Sequence, residues 1–277
     1  MATKIAGVAN APVDSLADLG GQLKFYGRSI SYAPHTFRQY RGEVLKLIAA
    51  VSMGTGALAR VGGTMVILGF MAMAGAYEVG QQGDTSLGRI GIGALSGFVS
   101  AFFNTREAVP LMTAFTLIAT VGAGFTAELG AMRVSEEIDA LEVMSVPPIS
   151  FLVTTRLIAG VIAVIPLYAI ALIMGYFSTR AVTLVFTDQT SGTYDHYFKE
   201  FLIPADVWWS LFKVIVMAIV VMCVTCYYGF HASGGPAGVG VAVGRAVRTS
   251  LIAVMVIDLL VGIAVFGGPS SGAHISG

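Results

Sequence analysis

Apolar residues recur along the chain in long runs separated by short polar stretches. A helix that spans a membrane needs about 20 predominantly apolar residues, and five runs approach or exceed that length. The sequence therefore predicts five membrane spans, at 61–79, 108–130, 149–178, 207–230 and 247–267. Transmembrane barrels show alternating strands with a weak hydropathy signal instead. The predicted fold class is therefore all-α and integral to a membrane.

Two further apolar segments do not fit a simple span. Residues 90–103 are too short and hold glycine and serine near their centre, so we expect a re-entrant or surface piece. Residues 44–59 contain one basic residue and are followed by another, which predicts an interfacial lead-in to the first span. The chain then divides into an N-terminal cytosolic or interfacial segment, 1–60, and a transmembrane domain, 61–277.

Composition supports the same class of protein. Apolar residues make up 56% of the chain, charged residues 12%, and the mean hydropathy is +0.80. Soluble domains carry about 25% charged residues, so a soluble enzyme is excluded, and the apolar content excludes a disordered chain. Basic and acidic residues are equal at 16 each, so no excess of positive charge points to nucleic-acid binding.

The basic residues are unevenly distributed between the two sides of the predicted membrane. With a cytosolic N-terminus, the inner segments hold 11 Lys or Arg, the outer segments hold 4, and Lys213 lies inside the fourth span. The positive-inside rule therefore predicts a cytosolic N-terminus and an external C-terminus. Residues 179–206 then form an extracytoplasmic loop.

The most unusual stretch is AELGAMRVSEEIDALEVMSVPP, from Ala127 to Pro148, on the predicted cytosolic side. Ser135 is a suitable N-cap and the two prolines forbid continuation, which predicts a short helix at 135–145. The helix concentrates four acids within seven residues, although cytosolic loops normally favour Lys and Arg. We interpret it as a docking helix for a cytosolic partner, and the alternative is a solvated acidic turn.

Several charged residues fall in or beside the predicted spans. Charges at membrane depth are costly and usually face a cavity or a partner. Arg106 and Glu107 lie just before the second span, where they either form a structural ion pair or face a cavity. Asp258 either pairs with Lys213 or lines the cavity, and the sequence leaves this open. The candidate residues for a substrate cavity or gate are Glu78, Arg106, Glu107 and Asp258.

Other motifs indicate no chemistry in the chain itself. No GxxxxGK[ST] occurs, so the chain does not bind ATP through a P-loop. The CxxC at Cys223 and Cys226 lies in an apolar helix and is interpreted as packing, and the four histidines show no metal-ligand spacing. We expect a non-catalytic chain with no cofactor or metal of its own.

Several motifs resemble one protein family. The pattern ELGxMxVxExIDALExM at 128–144 resembles the MlaE/YrbE family of ABC-transporter permeases. Arg106-Glu107-Ala-Val-Pro110 is similar to its RExxP segment, and SGGPAGVG at 233–240 is similar to its Gly-rich cytosolic loop. The details EEIDALEVM, TYDHYF, CYYGF and GGPAGVG look most like the B-type YrbE subunit of actinobacterial Mce lipid-transport systems.

The resemblance implies a permease subunit of an ATP-driven lipid importer in the plasma membrane. The implied partners are a cytosolic ABC ATPase that binds ATP and Mg, an A-type YrbE permease, external Mce proteins and a lipid. Nucleic acid is not among them. The helix 135–145 resembles the coupling helix that seats in the ATPase. The implied ATPase-coupling residues are Ser135, Glu136, Glu137, Ile138, Asp139, Leu141 and Glu142.

Two other functions compete with this interpretation. An ion-coupled secondary transporter would use Glu78, Lys213 and Asp258 as coupling charges. A structural membrane scaffold for Mce proteins would need none of these charges. Inverted repeats would favour the secondary transporter, but the two halves show no convincing self-similarity, and the acidic helix favours the ABC interpretation. The sequence leaves open whether the lipid is a fatty acid, mycolic acid, sterol or phospholipid.

Overall fold

A computed structural model describes residues 20–54, 63–89, 92–186 and 189–266, and no strand occurs among them. Five of their helices are long and apolar enough to cross a membrane, which confirms the all-α membrane fold. The helical segments are α1 (20–31), α2 (Ala33–Gln39), α3 (Arg41–Met53), α4 (Gly63–Arg89), α5 (Gly93–Val134), α6 (Glu137–Val143), α7 (Ile149–Phe186), α8 (Ser191–Phe201), α9 (Pro204–Phe230) and α10 (Gly235–Phe266).

The five spans are α4, α5, α7, α9 and α10, in the predicted order, but the helices extend beyond the apolar runs. α4 continues to Arg89 rather than ending at residue 79, and α10 begins at Gly235 rather than at residue 247. Hydropathy marks the part of a helix suited to hydrocarbon, whereas backbone hydrogen bonding continues into the polar ends. The predicted features that fall on 1–19, 55–62 and 267–277 lie outside the described residues.

The prediction of a separate re-entrant piece at 90–103 is wrong for the described part, 92–103. Those residues begin α5, a single helical segment of 42 residues that continues into the second span. Gly97 allows α5 and α8 to pack closely and does not form a turn. A Cβ atom on Gly97 would lie 2.4 Å from the Tyr194 carbonyl oxygen and 2.8 Å from the Phe198 nitrogen, both in α8.

The region 179–206 is not the simple loop that the sequence predicts. α7 continues to Phe186, and α8 then packs on the start of α5. Arg180 Nε and Nη2 donate to the two carboxylate oxygens of Asp195 at 2.9 and 3.0 Å. These hydrogen bonds lower the pKa of Asp195. α8 therefore forms a fixed cap over one end of the bundle, which we call the α8 end.

The main apolar core lies between α4, α5, α7 and α9. α3 covers the described part of the predicted lead-in at 44–59 and packs on α7, with Val44 and Val51 buried. α10 is the peripheral span. Only 11% of its most apolar stretch is buried in this chain, whereas the value for α5 is 61%. The face of α10 away from the bundle is therefore free of contacts within the described chain.

We predict that Gly97→Ala destabilises the protein by about 1–3 kcal/mol, because the added methyl group overpacks against the backbone of α8. The matched control is Gly124→Ala, also in α5, where a Cβ atom meets nothing within 4 Å. The measurement is the apparent melting temperature of each variant in detergent. Equal melting temperatures for the two variants would contradict the close approach of α5 and α8.

Candidate functional site

The acidic connection between α5 and α7 contains α6, which has seven residues. α6 begins at Glu137, and Glu136 before it adopts a left-handed backbone with φ of 61°. The prediction that Ser135 is the N-cap is wrong, and so are the bounds 135–145. Ser135 is instead the C-cap residue that follows α5, and its hydroxyl lies 3.0 Å from the Ala131 carbonyl oxygen and 2.9 Å from Glu137 Oε1. The left-handed turn separates Ser135 from the new helix.

The acidic side chains around α6 face solvent. Glu136, Glu137, Asp139 and Glu142 are all exposed. Asp139 Oδ1 lies 2.6 Å from Arg133 Nη1 in a partly exposed ion pair, and such pairs contribute little to stability. One base thus offsets four acids, so the connection around α6 presents a negative surface at this end of the bundle, which we call the α6 end.

The apolar side chains of α6 divide into an anchor and an exposed pair. Ile138 is fully buried in a cluster with Leu129 of α5, and Leu141 packs against the same cluster. Ile138 therefore holds α6 to the protein's own core and is not available to a partner. The exposed apolar side chains are Val143 and Met144, at 87% and 64%. Neither residue is predicted from the sequence, because periodicity does not show which partner an apolar stripe contacts.

A buried charge cluster joins three spans toward the α8 end. Lys213 of α9 has a fully buried side chain, and its Nζ lies 2.7 Å from Asp258 Oδ1 of α10. The same Nζ donates to Glu107 Oε2 and to the Arg106 carbonyl oxygen of α5, both at 3.0 Å. A lysine ammonium has three donors, so two carboxylates and one carbonyl surround it. Asp258 thus pairs with Lys213.

Arg106 belongs to a second ion pair beside this cluster. Its Nη2 lies 2.6 Å and its Nε 2.8 Å from Asp206 Oδ2, at the start of α9. The guanidinium also lies over the rings of Phe102 and Phe266, at 4.0 and 4.7 Å. Asp206 is not among the residues predicted from the sequence, because it lies 100 residues from Arg106 and just before an apolar run.

A cavity of about 460 Å³ opens between α5 and α10 beside both ion pairs. Arg106, Glu107 and Asp258 line it together with apolar side chains that include Phe103 and Ile263. Both walls are π-helical here, over Ser100–Ala108 and Gly262–Phe266, and π segments occur frequently at functional sites. An apolar pocket with a few charged groups at one place suits an amphiphile.

Glu78 lies apart from the other three predicted cavity residues. It is exposed on α4 and lines a separate groove of about 310 Å³ with Gln82 and Val99. Phe103 lines both this groove and the cavity. The structure therefore brings together Arg106, Glu107 and Asp258 and leaves Glu78 outside their cluster.

The remaining motifs have structural roles. Cys223 and Cys226 are both buried in α9, in agreement with their interpretation as packing residues. Among the residues that the structure describes, no group of three or more His, Cys, Asp or Glu is placed to hold a metal ion.

Comparison with known protein families shows to which family this chain belongs. The family model described as Permease MlaE matches residues 54–264. The chain belongs to the MlaE permease family. With its five apolar helices, this MlaE permease is a multi-pass membrane protein. Both the α6 region and the charge cluster lie within the matched range, whereas α1 and α2 precede it.

Individual relatives agree with the family assignment. A probable ABC transporter permease protein of Rickettsia prowazekii is 34% identical over 157 residues, which are 57% of this chain and 61% of the relative. A probable ABC transporter permease protein of Synechocystis is 31% identical over 172 residues, which are 62% of this chain and 65% of the relative. The chloroplastic protein TRIGALACTOSYLDIACYLGLYCEROL 1 of Arabidopsis thaliana is 30% identical over 181 residues, which are 65% of this chain and 51% of the relative. The matches thus span under two thirds of these relatives.

We predict that Lys213→Met destabilises this MlaE permease by about 3–5 kcal/mol, because it leaves Glu107 and Asp258 as unpaired charges at membrane depth. The control is Lys199→Met on α8, where the side chain is exposed. The measurement is the apparent melting temperature in detergent.

A charge-neutral triple variant separates lost pairing from lost packing. Replacing Lys213 with Met together with Glu107→Gln and Asp258→Asn should recover much of the lost stability, since no unpaired charge remains. A Lys213→Met protein that melts like the Lys199→Met control would contradict the role given to the cluster.

Proposed function

We propose that this chain is a permease subunit of an ATP-driven lipid transporter. The observation that carries the proposal is α6, a short acidic helix with exposed apolar side chains at its end and one fully buried anchor. In a member of the MlaE permease family, such a helix suits attachment of a cytosolic ATPase. The α6 end then faces the cytosol, the N-terminus is cytosolic, and the membrane is the plasma membrane.

The partner that we propose for α6 is a separate ABC ATPase. That partner would bind ATP and Mg and hydrolyse the nucleotide, while this chain remains non-catalytic. The Rickettsia and Synechocystis relatives carry the description of ABC transporter permeases, which supports this assignment. Glu136, Glu137, Asp139 and Glu142 would meet basic groups, and Val143 and Met144 would enter an apolar recess of the ATPase.

The second proposed partner is a paralogous permease packed on α10. Exposed apolar side chains on this helix include Ile252, Val256 and Leu260. A Cβ atom at Gly240 or Gly244 would meet nothing within 4 Å in this chain, and small residues allow helices to approach closely in membranes. We propose an A-type YrbE subunit at this face, giving a heterodimer with this chain as its B-type member.

The proposed substrate is a lipid that enters the cavity between α5 and α10. The cavity combines apolar walls with charged groups, and the name of the Arabidopsis relative contains that of a glycerolipid. We propose that external actinobacterial Mce proteins deliver a fatty acid, mycolic acid, sterol or phospholipid to it, in the direction of import. The motifs TYDHYF, CYYGF and GGPAGVG support the Mce and YrbE assignment.

The ion-coupled alternative is less well supported by the charge geometry. Lys213 and Asp258 neutralise each other, and Glu78 lies on a different groove. A coupling path that uses all three would need them to share one route through the membrane. Their separation favours the ATP-driven proposal.

The attachment of α6 can be tested by removing its exposed apolar side chains. We predict that the double variant Val143→Ser with Met144→Ser reduces ATPase co-purification by more than about tenfold, because burying each large side chain contributes about 1.5–3 kcal/mol. The matched control is Val185→Ser with Phe186→Ser, an equally exposed pair at the α8 end.

The acids provide a second variant for the same test. Replacing Glu136, Glu137 and Asp139 together with Ala should also detach the ATPase, whereas Glu200→Ala on α8 should not. Co-purification at the wild-type ratio from both α6 variants, each verified as folded by its melting curve, would refute the proposed attachment.

The lipid path can be tested by narrowing the cavity. We predict that Ile263→Trp lowers lipid transport severalfold while ATPase co-purification is unchanged, because the larger ring fills the cavity beside Asp258. Ile173→Trp on α7 is the control, since Ile173 is about as exposed as Ile263 but does not line the cavity. Transport of labelled lipid by membranes that contain the whole complex is the measurement. Equal transport by the two variants would place the path elsewhere.

A further inference from the structure

A second cavity lies at the α6 end and plays no part in the proposed transport path. It has a volume of about 500 Å³ and lies between α1, the end of α9 and the start of α10. This volume is within the range of small-ligand sites. Its polar lining side chains are those of Gln22, Tyr227, Tyr228, His231, Ser233 and Arg245.

The polar groups of this cavity are mainly hydrogen-bond donors. None of its described lining residues is acidic. Nδ1 of His231 lies 2.9 Å from the Tyr227 carbonyl oxygen, and because a carbonyl only accepts, the hydrogen on Nδ1 is already used and is not available to a ligand. Among the described residues the Gln22 side chain is bonded only through its oxygen, by a contact of 3.5 Å from Tyr26, so its amide donors remain for a ligand.

Arg245 supplies a positive charge that the described part of the chain does not neutralise. Two of the other arginines at this end are paired, Arg133 with Asp139 at 2.6 Å and Arg156 with Glu128 at 3.0 Å. Arg245 makes no ion pair with any described residue, and its side chain lines the cavity. Arginine and a donor-rich lining without acids together favour an anion, and guanidinium geometry suits phosphate oxygens.

The non-polar part of the lining indicates what the anion is attached to. The rings of Tyr227 and Tyr228 and the side chain of Val241 form apolar walls beside the donors. The cavity lies where α9 ends and α10 begins, at the membrane boundary, where tyrosine rings commonly sit. A phosphate carried by an acyl-chain lipid satisfies both parts of the lining.

We propose that this cavity binds a phosphate group, supplied by an anionic phospholipid of the leaflet at the α6 end or by free phosphate. Arg245 contacts the phosphate oxygens directly, and Ser233 and Gln22 donate further hydrogen bonds. The ligand thereby joins α1, the end of α9 and α10. The site is separate from the transport cavity, so this inference does not depend on the proposed function.

The test compares lipid retention by the full-length protein extracted from membranes. Native mass spectrometry would count bound phosphatidylglycerol and phosphatidylcholine of the same acyl chains. We expect Arg245→Gln to reduce phosphatidylglycerol retention by about tenfold, as expected for the loss of one charge-assisted hydrogen bond. The Arg245→Lys variant should keep part of the phosphatidylglycerol retention of the wild type. The matched control is Arg248→Gln, which changes an exposed, unpaired arginine of the same helix outside the cavity.

Inorganic phosphate distinguishes the two sources of the ligand. If phosphate in millimolar excess displaces the lipid from the wild type and raises its melting temperature, but not that of Arg245→Gln, the site accepts free phosphate. If it has no effect, the lipid headgroup is the ligand. Equal phosphatidylglycerol retention by wild type and Arg245→Gln overturns the proposal, and so does an equal loss in Arg248→Gln. Because Arg245 is exposed, both variants should fold.

Discussion

A charge inside a membrane needs a neighbouring opposite charge, and the arrangement of α5, α9 and α10 depends on this requirement. Lys213 is completely buried, so its ammonium cannot reach water by extending its side chain. Asp258 and Glu107 must therefore stay beside it, which fixes α10 and α5 against α9. The ion pair with Lys213 matters most for α10, because so little of the apolar surface of α10 is buried in the chain. The ion pair therefore adds to the packing of α10 on α9 and α5.

The two ends of the bundle meet the same requirement differently. Toward the α8 end, Arg106 and Asp206 neutralise each other under two aromatic rings, so the charges need no further partner. At the α6 end Arg156 is buried and paired with Glu128, whereas the acids of α6 and Arg245 are exposed. The acids of α6 and the unpaired Arg245 are thus available for ligands or partners, and they carry opposite signs. Exposure to solvent, rather than the number of charges, therefore distinguishes the charges that stabilise the bundle from those that are available to bind a ligand or partner.

Sequence alone predicted the five spans and the acidic helix because hydropathy, helix breakers and charge are local properties. It left the pairing of Asp258 open, since Lys213 lies 45 residues away and hydropathy does not show which helices touch. Ser135 met the usual criterion for an N-cap, but the left-handed Glu136 moves the helix start, and left-handed backbone is rare outside glycine. The glycines near residue 97 suggested a break in the helix. The role of Gly97, contact with α8, depends on a chain segment that begins at Ser191.

The anchoring of α6 shows how a force at one end could reach the cavity at the other. Glu136 and Ser145 both adopt a left-handed backbone, with φ near 60°, and one lies on each side of α6. Ile138 joins it to a buried cluster drawn from α1, α5, α7 and α9, so α6 moves with that cluster. α5 then runs from this cluster to Glu107 and the cavity wall. Its only irregular stretches between them are π-helical, and helices bend at such stretches. A push on α6 is therefore expected to change the angle of α5 at these two places, and with it the distance between Glu107 and Lys213.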